Sequence, residues 1–306
     1  MGIFTFAKKR KKVKLKSVLF IAIIGLSVFY SCNQNKNTET ILEGQTSVLV
    51  DETLLPIIED QKMVFESKYK ATINLLAKSE AECINAFLND SSKILVLPRK
   101  LNASENAVFK NKKISPRETP FATDGVALIQ NINAKDSLVE LQNVILFLQE
   151  KPSPIKGLVF DNPNSSLVNY LLAVANVKNV PSKNVFSFKN SNEVIKYISE
   201  NEGIIGVVGI NWINQPSAET ENYLKKVTVL SVKGATSNDF VYPSQDNIAS
   251  KKYPLARDLY IINCQGFEGL GMGFSSFVAG QIGQRIVLKS GLVPFKMPGR
   301  NIRIVK

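Results

Sequence analysis

Two adjacent hydroxyls, Ser165 and Ser166, stand where a chain can hold an anion. They follow Asp161-Asn162-Pro163-Asn164, in which Pro fixes φ and the Asn and Asp side chains bond back to the backbone. They precede Leu167, Tyr170, Leu171 and Val174, whose spacing predicts one apolar helix face. A hydroxyl at a helix start lies beside unpaired N–H groups and the positive end of the helix dipole, a combination that receives anions. The same pattern is also all that a helix cap requires. On this stretch alone the cap is the simpler reading.

Other chemistries are narrowed by what is missing. The sequence has no histidine, which excludes Ser–His and Cys–His nucleophile pairs and the commonest metal ligand. No Cys cluster and no paired Asp/Glu has metal-ligand spacing, so neither metal nor cofactor is expected. Ser67-Lys68-Tyr69-Lys70 fits S-x-x-K, but the S-D-N and K-T-G partners are absent and the segment is rich in surface charge. Gly269-Leu270-Gly271-Met272-Gly273 fails the G-x-G-x-x-G spacing and reads as a backbone turn entering the last helix. No enzyme is expected. Trp212, the single Trp, packs a strand end or rims a cleft.

The elements that must position these residues alternate. Strands are expected over 46–50, 71–76, 93–97, 157–160, 185–188, 203–209 and 227–232, the last as a segment that crosses back. Helices are expected over 54–70, 79–88, 137–148, 165–177, 191–199 and 274–289, with another opened by Ser104. Glu82 three residues after Ser79 completes a capping box. Thr123-Asp124-Gly125 reads as a turn or bulge inside an extended run, and as a crossing between domains. A glycine-rich loop fills 266–273, Gly291 stops the last helix, and short strands are expected at 293–295 and 302–305. This order is α/β.

The net charge of +12 is concentrated at the start. Lys8, Lys9, Arg10, Lys11, Lys12, Lys14 and Lys16 supply seven positives before any acid, leaving 12 − 7 = +5 for the rest. No basic stripe interleaved with aromatics appears, so no nucleic-acid partner is expected. The seven charges lead into the apolar run 18–30, too short to span a membrane comfortably and built like a secretory signal. Phe29-Tyr30-Ser31-Cys32 resembles a bacterial lipobox, with Cys32 as the lipidated first residue of an exported, membrane-anchored chain facing the periplasm. Residues 1–31 would be the signal and 32–45 a flexible tether. Cys83 and Cys264 sit in apolar-patterned segments and are expected as buried free thiols.

Several short motifs occur in a fixed order. They are Val50-Asp51-Glu52-Thr53-Leu54-Leu55-Pro56, Leu97-Pro98-Arg99-Lys100-Leu101, Phe121-Ala122-Thr123-Asp124-Gly125-Val126-Ala127, Asn164-Ser165-Ser166, Gly203-Ile204-Ile205-Gly206-Val207 and Tyr253-Pro254-Leu255-Ala256-Arg257. Together, over about residues 45 to 295, they resemble the phosphate-binding family of ABC-importer substrate-binding proteins, in its lipoprotein branch. The resemblance implies a two-lobed α/β fold of the periplasmic-binding-protein type II class, with mixed sheets and two inter-lobe crossings. It implies one lobe from 46–124 plus 250–306, a second from 125–249, and phosphate or a related oxyanion held between them for an importer permease. It places ligand-binding roles on Thr53, Arg99, Asp124, Asn164, Ser165 and Ser166.

Two departures set the alternative. Asp51 and Glu52 stand where the family offers hydroxyls, and 160–163 lacks the family's Arg. Each carboxylate at ~5 Å from an anion costs about 3 kcal/mol per charge pair at an effective dielectric of ~20. Arg99 and Arg257 are the remaining counter-charges. The second reading keeps the fold and changes or loses the ligand, as a sensor or scaffold would.

Overall fold

The computed structural model describes residues 39–90, 92–134 and 136–299. The expected signal, Cys32, the first part of the tether and the strand expected over 302–305 lie outside them. The apolar alternation after Glu43 makes β1 (Glu43–Asp51), which runs through a 3-10 turn, Glu52–Leu54, into α1 (Leu55–Lys68). β2 (Lys70–Lys78) returns parallel to β1. α2 (Glu80–Leu88) opens on the expected capping box, where the Ser79 N–H and hydroxyl donate to Glu82 at 3.1 and 2.7 Å. β3 (Ile94–Leu97) is buried throughout.

α3 (Ala103–Asn111) is opened by Asn102, not Ser104. The Asn102 side chain accepts from the Glu105 N–H, and Glu105 accepts from the Asn102 N–H. This reciprocal pair satisfies two helix-start donors, which a hydroxyl one turn position further in cannot reach. β4 (Arg117–Asn131) runs unbroken through Thr123-Asp124-Gly125, so the turn expected there is absent. A bulge does lie in this run, two residues earlier, where Phe121 of β4 is left without a partner between the Leu259 and Tyr260 pairings.

β5 (Leu138–Glu140) and α4 (Leu141–Leu148) replace the single helix expected over 137–148. Leu138–Glu140 pairs with Ser231–Lys233, a partner that local periodicity cannot reveal. β6 (Leu158–Phe160), α5 (Ser166–Ala175), β7 (Val185–Ser187), α6 (Ser191–Glu200) and β8 (Ile205–Gly209) follow as expected. Short helices α7 (Ile210–Asn214) and α8 (Glu221–Leu224) fill the polar stretch. The strand expected over 227–232 is two, β9 (Val227–Val229) and β10 (Ser231–Lys233), and neither crosses back. β9 pairs with β4 and β10 with β5.

β11 (Phe240–Val241), α9 (Gln245–Ala249) and β12 (Ala256–Asn263) precede two helices, α10 (Leu270–Ala279) and α11 (Gln281–Lys289), before β13 (Val293–Pro294). One helix was expected over 274–289; Gly280 divides it with extended backbone. The glycine-rich run is partly the first turn of α10. Gly273 is needed there, because a Cβ would fall 1.7 Å from the Ile41 carbonyl oxygen. Gly291 ends α11 with φ of +79°, the left-handed geometry expected of it.

Among the described residues the main sheet runs β2-β1-β3-β12-β4-β8-β6-β7, with β13 and β9 also on β4. It mixes parallel and antiparallel pairs. β4 changes partner along its length. Through Gly125 it pairs with β12, and from Val126 with β8. Apolar side chains from both stretches form one large core, and Leu49, Phe87, Leu95 and Phe109 help form a smaller one under α2 and α3. Cys83 and Cys264 lie in the smaller core, free and buried as expected.

Candidate functional site

The carboxyl ends of β1 and β6 meet the middle of β4 and the start of β12, and their polar residues form one buried network. β-register places Arg257 directly opposite Asp124. The Arg257 guanidinium donates to Asp124 Oδ2 from Nε at 3.1 Å and from one terminal nitrogen at 2.9 Å. That nitrogen also donates to Thr53 Oγ1 at 3.0 Å, and the other to Ser166 Oγ at 2.8 Å. Arg257, Asp124, Thr53 and Ser166 are all buried.

The hydroxyl protons can be assigned. Thr53 Oγ1 donates to Asp51 Oδ1 at 2.6 Å, and a hydroxyl has one proton. The 3.1 Å contact between Thr53 Oγ1 and Ser166 Oγ is therefore donated by Ser166. Both hydroxyl protons are thus engaged inside the protein. Ser165 is the helix cap, its Oγ accepting from the Val168 N–H at 3.3 Å. The Thr53 carbonyl accepts from Asn211 Nδ2 at 3.1 Å and Trp212 Nε1 at 2.9 Å.

Among the buried side-chain atoms described in this region, those without partners are acceptors. Asp51 Oδ2, Glu52 Oε1, Asp124 Oδ1, Asp161 Oδ2 and Asn211 Oδ1 are buried oxygens with no hydrogen-bond partner. Burial raises the Asp51 carboxyl to about 6, against the opposing pull of Arg257. Burial, then Asp161 and Asp51, push Glu52 up to about 8. Burial also raises Asp161. Gly209 packs beside the network, where a Cβ would lie 2.5 Å from Asn211 Oδ1 and 3.1 Å from Asp124 Oδ2.

The structure brings Thr53, Asp124, Ser165 and Ser166 to this place. It does not bring Arg99, whose guanidinium donates to Glu80 at 2.6 Å and with both terminal nitrogens to Glu105 at 2.9 Å. A charged fork held by two carboxylates is already neutralised. The Asn164 side chain is exposed, while its carbonyl accepts from the Ala81 N–H at the start of α2. Asp161 and Asn211 were not expected here. Their signal is a polar residue just past a buried strand, Asp161 directly after β6 and Asn211 two residues after β8 in the first turn of α7.

The sequence matches the family model described as a PBP superfamily domain over residues 35–281. It is 22% identical to the phosphate-binding protein PstS of Borreliella burgdorferi, over 92% of this chain and 99% of that one. The fold matches a Clostridium perfringens structure described as a phosphate ABC transporter substrate-binding protein with bound phosphate. The TM-score is 0.69 and the identity 19%, covering 83% of this chain and all of that one. A Vibrio cholerae ABC-type phosphate transport receptor matches with a TM-score of 0.63 and 13% identity, over 82% of this chain and all of that one.

Proposed function

The chain belongs to the PBP superfamily, in the α/β periplasmic-binding-protein type II fold and a class of binding proteins rather than enzymes, and from that premise we propose that it captures a solute for an ABC importer. The solute site is the region between the Thr53 turn and the Ser165-Ser166 helix start. The observation that carries this is the Thr53–Ser166–Arg257–Asp124 network, which joins both stretches of the main sheet at one buried place. In this reading the lobes divide at 124/125, one residue before β4 passes from β12 to β8, and at 249/250, ahead of the return segment. Ligands enter such clefts between lobes, and closure follows by hinge motion.

The relatives' names point to phosphate or a related oxyanion. Ser166 and the first N–H groups of α5 would receive it. The protein is exported and held to the membrane through a lipid on Cys32, with a permease as its partner. Among the described residues no helix is long and apolar enough to cross a membrane. A second reading, in which the fold persists with a changed or lost ligand, is favoured by the buried carboxyls of Asp51 and Asp161 beside the helix start. Titration calorimetry of the full chain in detergent tests phosphate directly; saturable heat supports the oxyanion reading. Cys32→Ala should release the chain from membranes or leave it unprocessed, and unchanged retention with normal processing would refute the anchor.

A further inference from the structure

The described chain begins at the end of the main sheet away from Arg257 and Asp124. β12 runs from that network to Asn263, which pairs with Arg117 at the start of β4. β1 and β2 begin at the same end, where Glu43 pairs with Lys70, because both run against β12 through β3. Glu39 is fixed here as well. Its Oε1 accepts from Gln265 Nε2 at 2.9 Å and from the Leu270 N–H at 2.6 Å. A Cβ on the neighbouring Gly269 would touch both Glu39 and Phe267. Lys113, Ser115, Arg117, Gly266, Phe267 and Glu268 line an open groove of about 420 Å³ beside it. Lys110 lines an adjoining hollow that shares Lys113 and Ser115.

This end is basic, with apolar residues among its charges. Lys70, Lys110, Lys113 and Arg117 are exposed and make no salt bridge among the described residues. Lys93 and Lys112 share Asp90. Glu43 and Glu268 are exposed beside them, and the Glu39 carboxylate is already bonded. Ile41, Leu42 and Phe267 are exposed at 43%, 42% and 41%. Cys32 precedes Glu39 by seven residues in the sequence, a length that spans at most about 25 Å even fully extended. A lipid on Cys32 therefore keeps this end, and no other, close to the leaflet. We propose that it is a membrane-docking surface, which lays Lys110, Lys113 and Arg117 on anionic phospholipid headgroups and Phe267 at the interface. The inference rests on the reading of Cys32 as the lipid anchor. Headgroup phosphates supply the anions that these cations lack, and an aromatic beside them suits the boundary between headgroups and acyl chains. Docked so, the Thr53 end of β1 faces away from the leaflet, a posture for capturing solute.

The test places the full chain, purified from membranes in detergent, into vesicles of phosphatidylcholine with or without phosphatidylglycerol. Gly266→Cys carries a fluorophore, at a position where a Cβ meets no atom within 4 Å. Glu219→Cys, exposed on the second lobe, is the control, and the unsubstituted chain checks that buried Cys83 and Cys264 stay unlabelled. Lipids with quencher headgroups then report which label lies at the leaflet. The expected result is quenching at 266 on phosphatidylglycerol vesicles, weaker on phosphatidylcholine alone and in ~0.5 M salt, with little at 219. Each basic side chain near an anionic leaflet is worth about 5-fold, so Lys110→Gln with Lys113→Gln and Arg117→Gln should lower the docked-to-undocked ratio on the order of 100-fold. The variant should still float with the vesicles. Equal quenching at 266 and 219 would overturn the surface and leave the anchor standing. So would quenching at 266 that ignores both phosphatidylglycerol and the triple variant. A mature chain with no lipid on Cys32 by mass spectrometry would overturn the anchor reading, and this inference with it.

Discussion

At the scale of single residues, Arg257 has no interchangeable substitute. Its planar fork reaches Asp124, Thr53 and Ser166 at once, a geometry that a lysine point charge cannot reproduce. Removing it leaves Asp124 buried and unpaired. Arg257→Ala should therefore lower the unfolding free energy by about 3–5 kcal/mol, measured by urea denaturation. Replacing both partners, as Arg257→Met with Asp124→Leu, should recover most of that loss, because two apolar groups need no desolvated charge. No recovery would mean that the fork holds Thr53 and Ser166 in place more than it neutralises Asp124. The residue types were legible: the Tyr253-to-Arg257 motif and Asp124 both stood out in the sequence. Their partnership was not, because it depends on the antiparallel register of strands 133 residues apart in sequence. Arg99 shows the converse. It looked available until Glu105, primarily a capping-box acid, proved to bind it.

At the scale of elements, the start of α5 separates capping from binding. Ser165 caps and Ser166 bonds outward, so the two hydroxyls have different work. Ser165→Ala should cost about 1 kcal/mol of stability. Ser166→Ala should leave the cap whole and free one Arg257 N–H. Thermal melts of the two variants give the comparison, and equal losses would mean that the outward bond matters as much as the cap. Ser166→Asp suits the helix dipole and puts a carboxylate where an oxyanion would sit. If phosphate nevertheless binds that variant as well as wild type, the helix start is not its seat. Elements with local signals were read correctly, as with the Ser79–Glu82 box and the Gly291 stop. β5 was read as helix because its evidence lies in a parallel partner about 90 residues onward. The division between α10 and α11 was missed for a similar reason, since both flanks continue an amphipathic pattern across Gly280.

At the scale of the whole molecule, the carboxyls bear on how its two sheet stretches meet. Asp51 ends β1 and Glu52 follows it, while Asp161 follows β6. Glu80 and Glu82 of α2 add negative charge to the same neighbourhood, and Arg257 from β12 opposes it. Asp51 is raised from 3.8 to about 6 and Glu52 from 4.5 to about 8, so the folded protein holds protons that the unfolded chain has already released. The contribution of these two carboxyls to stability is then greatest in acid and is lost as pH rises from the unfolded values near 4 to about 8. For Asp51 alone the shift corresponds to roughly 3 kcal/mol at ~1.36 kcal/mol per unit. Opening the cleft relieves the same repulsion without unfolding. Trp212 reports on it, because its indole donates to the Thr53 carbonyl across the meeting point and the sequence has no other Trp. Without solute, raising the pH from about 5 to about 8.5 should part the halves, hydrate the indole and move its emission to the red, with a larger radius of gyration by X-ray scattering. Glu52→Gln should hold the emission at its acid position across that range. Emission that stays fixed in wild type while stability still falls with pH would place the strain inside the closed cleft, and the carboxyls would then destabilise the fold without opening it.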